Sequence, residues 1–421
     1  MTSQFTSNAG KERRWQIALL LGAGVLVNYF DRVNLSVSHA ALTSEFGLSE
    51  VVFGYLLSAY SLTYALCQLP VGVVLDRLGV RRVGLIGAAL WSVASFAAAA
   101  APNLSALFGA RFLLGVGEAP TFPANAKAIG AWFPVEERSL ATALFDAAAK
   151  FASAVGVPVI GILLLSVGWR WSFAITGVVS FLYFACFWRC YRDPGARDLN
   201  EAQNRAIRSG RSEAEEIQPS STLLHLLGQR NVLGLAIGFG AYNYVFYLLL
   251  TWLPSYLAFA LHIDLLHSFL YTGVPWLVAT ATDLIVGGWL VDFLVRHGWN
   301  RDRVRKTVLI GGTACGLGIL GAAHAGSPAV ALAWISLSIG GLAAAAPVCW
   351  SLPSLIAWPR DVGKVGGIIN FSSQLSAILA PIVTGYIVGS LHSYAWAFGV
   401  AGIYLSVGIA AYVLLLGRLE P

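Results

Sequence analysis

The sequence predicts an all-α membrane protein with twelve transmembrane helices in two pseudo-symmetric six-helix halves. Three observations support this prediction: an apolar composition, twelve long apolar segments, and one polar stretch near the middle of the chain. Of 421 residues, 57% are hydrophobic and 11% are charged, whereas a typical soluble domain has about 25% charged residues. Because so few polar residues could not cover the surface of a soluble protein, the chain is predicted to span a membrane.

A membrane-spanning helix needs about 20 apolar residues, and twelve segments meet this length. We expect the spans at about 15–42, 52–75, 83–101, 104–130, 139–166, 171–190, 231–257, 266–291, 306–325, 329–353, 364–390 and 394–417. Residues 191–224 are polar and divide the spans six and six. They are predicted to form a cytoplasmic linker with a short amphipathic helix, between an N-terminal half at 1–190 and a C-terminal half at 225–421.

The position of the basic residues predicts the orientation in the membrane. If the N-terminus is cytoplasmic, the Lys and Arg residues outside the spans lie on the cytoplasmic side, with Arg170 as the exception. This is the positive-inside pattern, so both termini are predicted to be cytoplasmic. The pattern also accounts for the net charge of +6 without nucleic-acid binding. The start of the chain has no cleavage pattern of a secretory signal.

The cysteines and the catalytic motifs bear on the class of protein. The five cysteines are odd in number and all lie in apolar segments, which argues against disulfides and metal clusters. The sequence contains no paired metal-ligand motif, nucleophile motif or phosphate-binding loop. We therefore expect neither an enzyme nor a metal or organic cofactor.

Ionisable residues inside the predicted spans are the strongest functional signal. Asp31 and Arg32 are adjacent in the first span, and Arg111 and Glu118 lie in the fourth. Each ionised group in hydrocarbon costs roughly 2.5–3.5 kcal/mol by insertion scales, so such groups usually serve a polar site. Arg111 and Glu118 lie within about 20° on one helix face and about 10 Å apart. A purely structural network, Asp31–Arg111 and Arg32–Glu118, is the alternative.

Three further ionisable residues lie in predicted spans and leave alternatives open. Asp146 and Lys150 have the i, i+4 spacing of an ion pair within one helix. Lys150 could instead offer a second positive charge to a substrate. Asp283, in the eighth span, could belong to the site or to the wall of a water-exposed cavity.

A loop motif occurs once in each half. In the first half, the motif at the end of the second span and in the loop after it consists of Gly72, Asp76, Arg77 and Arg81. In the second half, Asp292 has the matching position after the eighth span. Two related six-helix halves are a transporter architecture with the substrate site near the midplane. The loop residues are predicted to hold one conformation closed at the cytoplasmic side. A simple positive-inside loop is the alternative.

The loop motif resembles the signature of the major facilitator superfamily. Five longer runs resemble the anion:cation symporter family of that superfamily: Asn28–Asn34, Arg111–Asn125, Trp132–Arg138, Thr251–Tyr256 and Gly366–Phe371. The resemblance implies the major facilitator fold and a location in the bacterial inner (plasma) membrane. It also implies transport of organic anions such as galactonate, glucarate, tartrate or phthalate, commonly with protons.

The resemblance also implies roles for the ionisable residues. Asp31 and Glu118 match the proton-coupling acids of the family, and Arg32 matches the arginine that binds the substrate carboxylate. A planar guanidinium fork suits a carboxylate on physical grounds as well. Arg111 is expected to organise this network.

The substrate pocket is predicted from both halves. The resemblance implies that Tyr64, Trp350 and Asn370 lie where pocket residues of the sugar-acid members are found. Gln374 follows Asn370 by one helical turn, so both amides could bind a hydroxylated substrate or, equally, neighbouring helices. Lys150 departs from the sugar-acid members and would suit a dicarboxylate or an aromatic acid.

The sequence therefore predicts a secondary active transporter that imports an organic anion with protons by alternating access. The anion is a sugar acid, a dicarboxylate or an aromatic carboxylate. An anion exchanger and a sodium-coupled carrier are the alternatives within transport. A ligand sensor that does not transport is less favoured, because the linker is too short for a signalling domain. The expected partners are the anion, protons and the lipid bilayer, and the protein is expected to be monomeric.

Overall fold

The computed structural model describes residues 2–133, 135–194, 222–357 and 361–417. Within these ranges the chain forms helices and short connections, and no strand. The linker helix predicted within 191–224 falls largely outside the described residues.

Seven helices of the described chain lie before the linker, and one of them contains a break. They are α1 (Thr2–Val37), α2 (His39–Phe46), α3 (Glu50–Ala99), α4 (Leu104–Glu118), α5 (Thr121–Trp132), α6 (Val135–Val167) and α7 (Trp169–Cys190). Gly79 has a φ of 78°, a backbone conformation that glycine adopts at little cost. It divides α3 into two spans, Glu50–Gln68 and Arg77–Ala99.

Ten α-helices of the described chain lie after the linker, and three of them continue into a π-helical segment or a 3₁₀ turn. They are α8 (Leu223–Leu227), α9 (Arg230–Ser255, continued by π-helical Tyr256–Ala260), α10 (Leu265–Thr282, continued by π-helical Asp283–Leu290), α11 (Val291–Arg296), α12 (Arg301–Cys315, continued by the 3₁₀ turn Gly316–Gly318), α13 (Ile319–Ala322), α14 (Pro328–Ser351), α15 (Pro353–Ile356), α16 (Val362–Leu391) and α17 (Tyr394–Leu415).

Ten helical segments of the described chain are long and apolar enough to cross a membrane. The two remaining predicted spans are also helical, but each is interrupted. The fourth span consists of α4 and α5, with Pro120 at the break, and the ninth consists of α12 and α13 around a 3₁₀ turn. Proline lacks the amide hydrogen that a continuous helix uses, which explains the first break. The predicted twelve-helix membrane fold is therefore confirmed, with two discontinuous spans.

Close contacts along the chain define two compact units, which cut through α1, α3 and α6. The first unit consists of Met1–Arg32, Leu62–Ala152 and Val167–Gln218. The second unit consists of Val33–Ser61, Ser153–Ser166 and Pro219–Pro421. The halves predicted from sequence, 1–190 and 225–421, divide the chain at the linker instead, and they stay a prediction.

In the first unit, glycines bring α3 and α4 into backbone contact. A Cβ atom added at Gly87 would lie 2.7 Å from the carbonyl oxygen of Gly117, and one added at Gly117 would lie 2.7 Å from the backbone nitrogen of Trp91. Small residues of this kind let membrane helices approach closely. The close approach places the middle of α3 beside Glu118, the last residue of α4.

In the second unit, segments from before the linker pack on helices from after it. A Cβ at Gly54 would lie 2.6 Å from the carbonyl oxygen of Pro381, and one at Gly273 would lie 2.6 Å from that of Ala154. The hydroxyl of Ser58 donates to the carbonyl oxygen of Ile378 over 2.8 Å. The start of α3 and the end of α6 are thus held against α16 and α10.

Candidate functional site

Arg32 and Glu118 form a direct ion pair between α1 and α4. Nε of Arg32 donates to Oε2 of Glu118 over 2.9 Å, and the two side chains are 6% and 0% exposed. Removing one partner of so buried a pair would leave an uncompensated charge. The first unit therefore contains a guanidinium whose charge is balanced by a titratable group.

Two tyrosine rings flank the guanidinium of Arg32. Its Cζ atom lies 4.6 Å from the ring centre of Tyr29 and 5.4 Å from that of Tyr64. Cation–π contacts of this kind stabilise a guanidinium away from water. The structure thus places the predicted pocket residue Tyr64 beside the predicted anion-binding residue. Sequence reasoning missed Tyr29, because a tyrosine in an aromatic-rich span carries little signal by itself.

Asp31 is held by hydroxyl groups of two other helices. Ser95 of α3 donates to Oδ1 over 2.9 Å, and Ser180 of α7 donates to Oδ2 over 2.8 Å. Nη1 of Arg111 donates to the backbone carbonyl oxygen of Asp31 over 3.3 Å. Asp31 and Arg111 are both buried. Sequence reasoning missed the two serines, since serines in spans commonly bond to their own helix.

Asp146 and Lys150 form the ion pair that their spacing allows. Nζ of Lys150 lies 2.7 Å from Oδ2 of Asp146, and the Lys150 side chain is 6% exposed against 29% for Asp146. The pair belongs to the first unit, on α6. A role of Lys150 in substrate binding stays a prediction.

The second unit carries the other predicted pocket residues. Trp350 lies edge-on to Phe239, with ring centres 5.2 Å apart, and Phe239 stacks on Tyr242 with ring centres 5.1 Å apart. Trp350 is 45% exposed. Asn370 and Gln374 lie one turn apart on α16, and Gln374 is buried. These residues combine an aromatic surface with amides, and their role in binding stays a prediction.

Asp283 is buried at the start of the π-helical segment Asp283–Leu290. Single π-helical turns inside α-helices frequently occur at functional sites. The position keeps Asp283 as a candidate within the second unit.

The predicted loop motif of the first half makes contacts near the end of α7. The backbone nitrogen of Arg81 donates to Oδ2 of Asp193 over 3.4 Å, and Nη2 of Arg81 donates to the carbonyl oxygen of Trp188 over 3.2 Å. In this structure Arg81 thus ties the loop after the second span to the segment that leads into the linker.

The other members of the loop motif make fewer visible contacts. A Cβ at Gly72 would meet no atom within 4 Å, and Arg77 is exposed. The side chain of Asp76 lies outside the described residues. Asp292 is exposed and lies close enough to Arg305 for Coulombic attraction. The gating role of these residues stays a prediction.

Comparison with known proteins decides the family. The model of the Major Facilitator Superfamily matches residues 21–301. The chain belongs to the Major Facilitator Superfamily.

Several related proteins align with nearly the whole chain. An uncharacterized transporter of Bacillus subtilis is 37% identical over 97% of the chain and 95% of the relative. The D-galactonate transporter of Escherichia coli is 31% identical over 98% of each protein. A probable galactarate/D-glucarate transporter of Escherichia coli is 29% identical over 99% of the chain and 97% of the relative. The predictions of a transporter rather than an enzyme, and of similarity to sugar-acid carriers, are confirmed.

Solved structures agree on the fold. A bacterial homologue of the human lysosomal transporter Spinster aligns with a TM-score of 0.75 and 16% identity, covering 96% of this chain and 97% of that one. A D-xylose–proton symporter aligns with a TM-score of 0.74 and 17% identity, covering 96% and 98%. The protein is therefore a multi-pass membrane transporter with the major facilitator fold.

Proposed function

We propose that the protein imports a small organic anion of the sugar-acid class together with protons, by alternating access. The observation that carries the proposal is the buried Arg32–Glu118 ion pair with Asp31 on the adjacent position of α1. The relatives named for galactonate and for galactarate or glucarate support the anion class. All these substrates carry at least one carboxylate.

The ion pair supplies a mechanism for coupling. A substrate carboxylate and the Glu118 carboxylate are alternative partners for the same guanidinium. When Glu118 binds a proton, it loses its charge and releases Arg32, which then pairs with the substrate carboxylate in a fork geometry. The anion and the proton enter as a pair, so the net charge of the buried site stays the same. Binding of one therefore favours binding of the other.

Asp31 is the second proton site of the proposal. Two hydroxyl donors stabilise its ionised form, as charge-assisted hydrogen bonds do. A protonated Asp31 would become a donor itself, so at least one serine hydroxyl would have to rotate and accept. Protonation removes a buried negative charge, and a less charged site can reorient at lower cost.

The contacts of the second unit support alternating access. With a cytoplasmic N-terminus, Val33–Ser61 and Ser153–Ser166 are the outer ends of the first, second and fifth spans. In the proposed cycle, their packing on α10 and α16 is the contact that closes the outer end of the pathway. Import would require these contacts to separate as residues 1–190 rock against 225–421. We place the protein in the bacterial inner membrane, as a monomer with both termini cytoplasmic.

Uptake into proteoliposomes tests the proposal. D-Galactonate, D-glucarate, a simple dicarboxylate and an aromatic acid serve as labelled probes, with an imposed inward pH gradient. We expect accumulation of at least one probe that collapses when a protonophore removes the gradient. Accumulation that needs a sodium gradient, or exchange that needs internal anion and ignores pH, would replace proton symport with the corresponding alternative. Binding of a probe without any transport would point to a sensor.

A further inference from the structure

We propose that the first unit contains a hydrated polar path that carries protons between Asp31 and the cytoplasmic ends of α3, α5 and α7. The inference rests on the proposed proton coupling. Asp31 and Arg32 are adjacent on α1, about 100° apart around the helix. Asp31 binds serines of α3 and α7, whereas Arg32 binds Glu118 of α4. Protons and anion would thus use different sides of α1.

A small, partly open cavity lies in the first unit on the α3 and α7 side. Its walls include Gly87 and Trp91 of α3, Thr121 and Asn125 of α5, and Tyr183 and Phe187 of α7. It offers about 20 Å³ to the centre of a water molecule. A cavity with about 10–15 Å³ of such volume can hold one water if polar partners are present.

The cavity wall contains polar groups that need a partner. Among the described residues, Nε1 of Trp91, Oγ1 of Thr121 and Nδ2 of Asn125 are buried and have no hydrogen-bond partner. The three side chains are 3%, 8% and 4% exposed. A buried polar atom left without a hydrogen bond costs about 1–3 kcal/mol. The proposal places a water molecule in the cavity as the hydrogen-bond partner of these groups.

The polar path extends from the cavity to Asp31 along α1. Asn28 is fully buried, and neither its Nδ2 nor its Oδ1 atom has a partner among the described residues. Gly24, Asn28 and Asp31 follow one another at spacings of four and three residues, so they share one helix face. The hydroxyl of Tyr183 lies against Gly24, where any Cβ atom would clash with it. Each turn of this face of α1 therefore either has a polar side chain or contacts the Tyr183 hydroxyl of α7.

The path also connects through α3 and α7. Trp91 lies one turn from Ser95 on α3, and Tyr183 lies one turn from Ser180 on α7, in both cases toward the cavity. The rings of Trp91 and Tyr183 are stacked, with centres 5.6 Å apart. The hydroxyl of Tyr183 is therefore the proposed proton-transfer step between the serines that hold Asp31 and the cavity, whereas Nε1 of Trp91 can only donate a hydrogen bond to water there.

The charged and titratable neighbours of the path lie at its two ends and beside Tyr183, where Cys186 is close enough for a Coulombic interaction. Arg111 of α4 faces the backbone of Asp31, and Tyr183 is the titratable residue of the cavity wall. At the far end, Phe187 stacks on Tyr191, whose hydroxyl donates to the exposed carboxylate of Asp193 over 3.4 Å. With the proposed topology, Asp193 lies on the cytoplasmic side, and we place the cytoplasmic end of the path near it.

Release would proceed by proton exchange along the hydrogen bonds. Protonated Asp31 gives its proton to the Oγ atom of Ser180, and the original hydroxyl proton of Ser180 moves to the next acceptor. Each water or hydroxyl on the path takes one proton and passes one on, until a proton reaches the cytoplasmic water. Asp31 is then ionised, and each intermediate group is chemically unchanged.

Variants that remove the polar groups of the cavity test the path. Thr121→Val and Asn125→Leu, combined, keep side-chain size and remove two of the unpartnered groups. Thr313→Val is the matched control, because Thr313 is buried in the second unit and its hydroxyl donates, among the described residues, to the carbonyl oxygen of Leu309 on its own helix. Proteoliposomes with an internal pH dye report acidification driven by the best transported probe of the panel. Counterflow of the same probe reports exchange that needs no net proton release.

We expect acidification in the double variant to slow by about tenfold or more, as for loss of a positioned proton-transfer group, while counterflow is retained. Acidification as fast as in Thr313→Val would overturn the path. If acidification and counterflow slow equally and the melting temperature also falls, these residues have only a structural role, and the proposed path is overturned. If the double variant does not fold, Ala124→Val fills the cavity without removing a polar group and is judged by the same outcomes. Failure of the wild type to acidify would instead overturn the proposed coupling, and the path with it.

Discussion

Replacing Glu118 by glutamine separates anion binding from proton binding. Glu118→Gln keeps the size of the side chain and mimics the protonated acid, so Arg32 loses the carboxylate that competes with the substrate. The structure shows a 2.9 Å contact in which the two side chains are 6% and 0% exposed. The competition therefore takes place with little screening by water. We expect the variant to bind the anion more tightly than the wild type at alkaline pH.

The size of the effect follows from the contact that the mutation removes. A hydrogen bond to a charged group contributes about 1.5–3 kcal/mol, which corresponds to roughly a 10- to 150-fold change in affinity. In the wild type, affinity should rise as pH falls, because protonation of Glu118 frees Arg32. In the variant this dependence should vanish. The ligand-free variant should also be less stable, by up to about 3–5 kcal/mol, since Arg32 is left without its counter-charge.

Titration calorimetry on purified protein across a range of pH measures both effects. The ligand is the probe with the largest wild-type uptake, and thermal melting with and without it reports the change in stability. Asp302→Asn serves as a control for the loss of an ion-paired carboxylate, because Asp302 pairs with Lys306 in the second unit and should not alter the pH dependence of binding. Weaker binding by Glu118→Gln at every pH, or an unchanged pH dependence, would refute the exchange of partners at Arg32.

Three further predictions concern the same unit. Arg32→Ala should abolish binding and transport together, and a near-normal dissociation constant by calorimetry would contradict its assignment. Asp31→Asn should lose uphill uptake driven by a pH gradient but retain counterflow, and proton-driven accumulation equal to that of the wild type would remove Asp31 from coupling. Lys150→Gln should weaken a dicarboxylate or aromatic acid roughly 10- to 150-fold, by the same 1.5–3 kcal/mol per charged contact, and a monocarboxylate far less, if Lys150 binds substrate. Rescue of its melting temperature by Asp146→Asn, with unchanged ligand preference, would show instead that Lys150 only neutralises Asp146.

Most of the fold could be predicted from the sequence. Apolar length predicts spans because a lipid bilayer demands about 20 residues of hydrocarbon-compatible helix, and the polar stretch at 191–224 divides them visibly. The breaks in the fourth and ninth spans were harder to foresee. Pro120 signals the first break, but a helix can also tolerate proline by bending. The break at Gly316–Gly318 falls on two glycines, which weaken a helix but do not by themselves require a break.

Only part of the candidate site could be predicted from the sequence. Asp31, Arg32 and Glu118 stand out because a charge in an apolar span is costly and therefore rare. Ser95 and Ser180 do not stand out, because the same residue type occurs in spans for many reasons. Tyr29 is hidden by the many aromatic residues around it. Their importance comes from contact with a charged group, and spacing along the chain does not reveal such contacts.

The sequence by itself determined the membrane class, the number of spans, the candidate charges and the anion-carrier resemblance. Each of these follows from properties that a residue has regardless of its neighbours in space: its transfer free energy, its charge and its position in a motif. Only the tertiary structure decided that Arg32 pairs with Glu118 and that hydroxyls of α3 and α7 hold Asp31. It also decided that Asn28, Trp91, Thr121 and Asn125 are buried in one unit without hydrogen-bond partners among the described residues. These facts depend on which helix faces meet, because hydrogen bonds and ion pairs act over a few ångströms between residues far apart in the chain.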